Sequence, residues 1–69
     1  MNFYEVMLGV ISQGKEIGRV CVFVAAASPF TAAVQAEEST DKAYGQGTYT
    51  HVLKVNPLTM DEFTFITAA

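Results

Sequence analysis

The stretch Arg19-Val20-Cys21-Val22-Phe23-Val24-Ala25-Ala26-Ala27-Ser28-Pro29-Phe30-Thr31-Ala32-Ala33-Val34-Gln35-Ala36 changes from a β-branched run to an alanine-rich one across a Ser-Pro step. Val20, Val22, Phe23 and Val24 suit a pleated, half-buried surface. The side chain of Ser28 can accept from an exposed amide at the start of a helix, and Pro29 fits a first helical position because that residue needs no amide donor. A strand therefore gives way to a helix at Ser28, which makes this an α+β chain.

Working upstream, Phe3 to Ile11 is a second run of Val, Ile, Met and aromatic residues, separated from Ile17–Ala26 by Ser12-Gln13-Gly14-Lys15-Glu16. That pattern predicts a β-hairpin. A two-residue Gly14-Lys15 loop of type II′ would set Gln13 opposite Glu16, and Val10, Leu8, Val6 and Tyr4 opposite Arg19, Cys21, Phe23 and Ala25. Phe3, Met7 and Ile11 would then share the other face with Val20, Val22 and Val24. Both faces carry large apolar groups, so both need cover.

Downstream, the helix should run from Pro29 to an end between Glu38 and Tyr44. Phe30, Ala33, Val34 and Glu37 would form one face, with Ala32, Ala36 and Ala43 beside it. Glu37, Glu38 and Asp41 lie toward the negative end of the helix dipole and weaken the last turn. Gly45 and Gly47 mark a loop, and Thr48–Val55 reads as a third strand with Tyr49, His51, Leu53 and Val55 on one side, ended by Asn56-Pro57. The alternation of Phe63 and Phe65 with Thr64 and Ile66 predicts a short fourth strand. The expected architecture is ββαβ(β): an antiparallel sheet of three to four strands with one helix on one face.

The chain has 69 residues, one domain spanning 1–69, and a chain this short hides only about 60% of its unfolded surface. Its single cysteine, Cys21, excludes an intrachain disulfide, and one Cys with one His does not make a structural zinc site. Yet 51% of the residues are hydrophobic. One small core cannot hide that much apolar surface, so the composition predicts a homodimer, with Phe3, Met7 and Ile11 on the interface. The longest apolar run, Val20–Ala27, is far short of the roughly 20 residues that span a bilayer. The start Met-Asn-Phe-Tyr-Glu-Val has no basic n-region, which points to a cytoplasmic setting without membrane contact. Four Lys and Arg against seven Asp and Glu give a net charge of −3. That is the wrong sign for binding a phosphate backbone, and it argues against a nucleic-acid partner.

Candidate chemistry is sparse. His51 could serve as a general base, but no carboxylate or cysteine stands near it in sequence to orient it. Cys21 alternates with Phe23 in an apolar strand, where a free thiol acts as a small hydrophobe. Gly45-Gln46-Gly47 leads from helix into strand, the reverse of a dinucleotide-binding turn, and lacks the third glycine. No cofactor or metal is expected. Tyr44, Gln46 and Tyr49 around that loop are the candidate partner-binding residues, since contacts concentrate on loops.

The strand pair, the Ala27-Ser-Pro-Phe-Thr-Ala-Ala-Val-Gln-Ala-Glu-Glu38 segment and the Thr48-Tyr-Thr-His-Val-Leu-Lys-Val55 strand together resemble the small ββαβ accessory proteins often encoded by phages and other mobile elements. The resemblance implies a compact protein that acts by binding, in some cases as an inhibitor of a host factor. The expected function is a non-catalytic protein-binding module. The rival readings are a dimeric enzyme with a cleft near His51, and a single-stranded nucleic-acid binder that stacks bases on Tyr49, Phe63 and Phe65.

Overall fold

The computed structural model describes residues 1–68. In chain order these form strand β1 (Asn2–Ser12), strand β2 (Lys15–Ala26), helix α1 (Pro29–Tyr44), strand β3 (Thr48–Leu58) and helix α2 (Met60–Ala68). The sheet order is β2-β1-β3, antiparallel throughout, so β1 is the central strand and β2 and β3 are edges. The α+β class, the hairpin and the α1 boundaries follow the sequence reading. The predicted fourth strand is instead α2.

The hairpin register differs from the expected one. The two loop residues are Gln13 and Gly14, at φ 54° and 77°, the pair of positive φ angles that a type I′ turn demands. Ser12 faces Lys15 and Ile11 faces Glu16. A bulge at Ile17 then sets Val10 against Gly18, Leu8 against Val20, Val6 against Val22 and Tyr4 against Val24. Without the extra residue Leu8 would face Arg19. The bulge thus removes a guanidinium from the core side of the sheet and puts a valine there. Val20, Val22 and Val24 consequently share a face with Tyr4, Val6, Leu8 and Val10, while Phe3, Met7 and Ile11 share theirs with Cys21, Phe23 and Ala25.

A second bulge does the same for β3. Val10 faces Thr50 and Leu8 faces Val52, but Met7 faces Lys54, so Leu53 is the additional residue. In an unbroken register Lys54 would stand opposite Val6, under the helix. The bulge brings Val55 there instead. Val55 therefore leaves the Tyr49-His51 side, where simple alternation predicts it.

Helix α1 lies across the face bearing Tyr4, Val6, Leu8 and Val10 and leans toward β3. Its start is the one expected: the Ser28 hydroxyl accepts from the Thr31 amide at 3.2 Å, and Pro29 opens the first turn. Its buried stripe is Ala32, Ala36 and Thr40, and Phe30 and Val34 point away from the sheet. The physical reason is approach distance. Alanine side chains let the helix backbone settle onto the fully buried Val6 and Leu8, where a phenylalanine would hold it off. Thr50 Oγ1 donates to Asp41 Oδ1 at 3.0 Å, tying the second half of α1 to β3. The helix continues to Tyr44, where the Gly45 amide donates to the Asp41 carbonyl.

Helix α2 begins with a reciprocal cap. The Glu62 amide donates to Thr59 Oγ1 at 3.1 Å, and the Thr59 amide donates to Glu62 Oε1 at 2.9 Å. This Thr-x-x-Glu box fixes a helical start that the alternation of Phe63 and Phe65 had obscured. The amide bond holds the Glu62 carboxyl below its ordinary range. Phe63 then sets its ring on Phe3, with centroids 4.5 Å apart.

Candidate functional site

The sheet face turned away from α1 is covered by α2 only at its Phe3 end. The two registers lay its side chains out in rows across β2, β1 and β3: Glu16, Ile11, Tyr49; Arg19, Gly9, His51; Cys21, Met7, Lys54; Phe23, Glu5, Asn56; and Ala25, Phe3, Leu58. Cys21, Arg19, Tyr49, His51 and Lys54 are exposed, while Met7 and Phe23 are half-buried. An aromatic and sulfur-bearing centre is thus framed by cations and carboxylates.

Gly9 positions the middle of this face. With no side chain on the central strand, the His51 ring lies over it from β3: a Cβ built at Gly9 would stand 3.3 Å from His51 Nε2 and 3.7 Å from Glu16 Cδ. His51 and the Glu16 carboxyl therefore converge over Gly9 from opposite edges of the sheet. The sequence reading gave His51 no carboxylate neighbour, because the two meet only when β2 and β3 both pair with β1, setting Glu16 opposite Ile11 and His51 opposite Gly9. Glu16 Oε1 is already engaged by Arg19 Nε, so the carboxylate is shared with a cation. Two rows further along β1, the Glu5 carboxylate accepts from Asn56 Nδ2 at 3.0 Å.

The expected interface residues Phe3, Met7 and Ile11 all belong to this face. Phe3 sits beneath Phe63, Ile11 is nearly enclosed between Glu16 and Tyr49, and Met7 remains half-open. Tyr44, Gln46 and Tyr49 are all exposed at the end of the molecule where α1 leads into β3. They do not form one rim. Tyr44 closes α1 on one side of the sheet, while Tyr49 stands on the other. Nor do the three aromatics of the stacking hypothesis come together, since Tyr49 lies beside Ile11 at one end of β1 and Phe63 beside Phe3 at the other. Phe65 is exposed on α2.

The described residues enclose no pocket, and among them no three His, Cys, Asp or Glu side chains converge to hold a metal ion. No helix among them is long and apolar enough to cross a membrane. Comparison with protein-family models, with curated proteins and with solved structures finds no match.

Proposed function

We propose that this chain is a small, homodimeric, non-catalytic module that binds a protein partner through the open face of its sheet. One observation carries the reading: a pocket-free sheet face bearing Tyr49, His51, Met7, Cys21 and Phe23, which α1 does not cover and α2 covers only at its Phe3 end. Aromatic, Met and Arg side chains at the centre of a flat patch are the composition of protein interfaces, whereas small-molecule sites are concave. The resemblance to mobile-element accessory proteins fits a role exercised by binding, such as inhibition of a host factor.

The enzyme alternative has one observation in its favour, the Glu16 carboxyl near His51. Arg19 competes for that carboxylate, and the described residues enclose no pocket around the pair.

The test uses wild-type, Tyr49→Ala and Phe30→Ala chains as baits in cell lysate, with captured proteins identified by mass spectrometry. A partner retained by wild type and Phe30→Ala but lost with Tyr49→Ala is the expected result. A partner held equally by all three would refute the assignment to this face. Turnover that disappears in a folded His51→Ala variant would establish the enzyme alternative instead.

A further inference from the structure

The two edges of the sheet are built differently. β3 carries three features that discourage a further strand: the bulge at Leu53, the charged Lys54 and the donorless Pro57. On β2 the charges and the bulge are confined to the hairpin end, at Lys15, Glu16, Ile17 and Arg19. From Val20 to Ala26 the edge has no charge, no proline and no bulge, and it consists of strand-favouring residues and alanine. A long unprotected apolar edge is a template for pairing with another chain.

The side chains along this segment are also unfinished. α1 leans toward β3, so Val20, Val22 and Val24 remain only half-buried although they pack against the core. On the open face Phe23 is half-buried and Cys21 exposed. The chain as a whole exposes 4606 Å², against about 4250 Å² for a compact monomer of its 7.5 kDa mass.

We infer that two copies of this chain pair through β2, antiparallel about a two-fold axis at Phe23, to form one continuous six-stranded sheet. The inference rests on the homodimeric reading above and says where its axis lies. Centring on Phe23 uses the whole free segment: Phe23 meets Phe23 of the second copy, Val22 meets Val24, Cys21 meets Ala25 and Val20 meets Ala26. Residues of equal parity meet, so the valines of both copies line the α1 side and both open faces point the same way. Full use of the uncharged segment selects this register, and charge excludes a slide toward the hairpin end. Sliding the axis to Arg19 would oppose two guanidiniums and run into the Ile17 bulge, whereas at Phe23 no charged residue has a charged counterpart. A seven-residue overlap is well short of the 20–30 residues a side of a standard interface, so the dimer is a weak one, in the micromolar range. It leaves the Tyr49-His51 half of each open face free for a different partner.

The experiment combines sedimentation between 1 and 100 μM with cysteine cross-linking. In a Cys21→Ala background, Phe23→Cys should give a disulfide-linked dimer when two thiols surrender two electrons and two protons to oxidised glutathione, because residues facing each other across an antiparallel pair lie within disulfide reach. The native Cys21 should not, since it meets Ala25 and the second copy's Cys21 lies four residues away along the strand. Phe23→Lys, checked by circular dichroism for an intact fold, should raise the dimer dissociation constant at least tenfold. A strict monomer at 100 μM would overturn both the homodimeric reading and the edge. A dimer that fails to cross-link at Phe23→Cys but is lost with Met7→Glu would keep the homodimer and overturn the edge in favour of the open face.

Discussion

Replacing Phe30 by alanine should barely change the stability of this protein, and replacing Ala36 by leucine should damage it. Phe30 is 78% exposed. Of the roughly 200 Å² that a phenylalanine can bury, it hides about 45 Å², worth about 1 kcal/mol as an upper bound. Alanine keeps part of that contact and is the better helix former by about 0.5 kcal/mol. The net loss should stay under about 1 kcal/mol. Ala36 is fully enclosed against the valine and leucine side chains of the sheet, so three extra carbons must displace the helix or force strained rotamers, at about 1–3 kcal/mol. A domain of 69 residues has a total stability of about 3–10 kcal/mol, so that loss is plain in urea unfolding followed by circular dichroism. The reverse order would hold if Phe30 faced the core, where truncation costs about 3–5 kcal/mol. Finding that order would refute the orientation of α1 described above.

Two further predictions concern the hairpin turn and the α2 cap. Gly14 has a positive φ and open space around it, so Gly14→Ala should cost about 1 kcal/mol from the backbone alone, while Gln13→Asn should gain a few tenths because Asn-Gly is the preferred type I′ pair; equal unfolding midpoints for the two variants would argue against the turn. The lowered Glu62 carboxyl contributes stability that is present above its unfolded value near 4.5 and is lost as pH falls through the lower folded value. The chemical shifts of the Phe3 and Phe63 rings should therefore change in acid as α2 loosens, and Glu62→Gln should remove that step.

The Ser28-Pro29 junction was legible in the sequence because everything that decides it is local: a capping hydroxyl, a proline that needs no donor and a change of propensity on either side. The strand register was not legible in the same way. It depends on a contest between Arg19 and Val20 for the place opposite Leu8, and between Lys54 and Val55 for the place opposite Val6, and those contests are decided by burial under a helix that the strands do not encode. For α1 the residue pattern sets Phe30, Ala33 and Val34 on one face with Ala32 and Ala36 beside it and leaves open which of the two meets the sheet; the alanines do, because small side chains permit close contact. For α2 the signal was present, in Thr59 and Glu62 three residues apart, and the alternating phenylalanines outweighed it. The juxtaposition of His51 and Glu16 over Gly9 follows only once the turn is placed at Gln13-Gly14 and β3 is paired with β1.

The central position of β1 has a consequence for how the chain folds. Its pairing with β2 starts at the turn, where Ser12 meets Lys15, and can zip outward within microseconds. Its pairing with β3 joins residues as distant in sequence as Phe3 and Leu58, so a long loop must close before any contact repays the entropy. A two-stranded hairpin is at best marginally stable alone in water, and until β3 arrives the apolar β1 has a second unpaired edge. The slow step is then the docking of α1 and β3 onto the hairpin. Substitutions in the Gln13-Gly14 turn should act mainly on the folding rate, and substitutions at the α2 cap mainly on the unfolding rate.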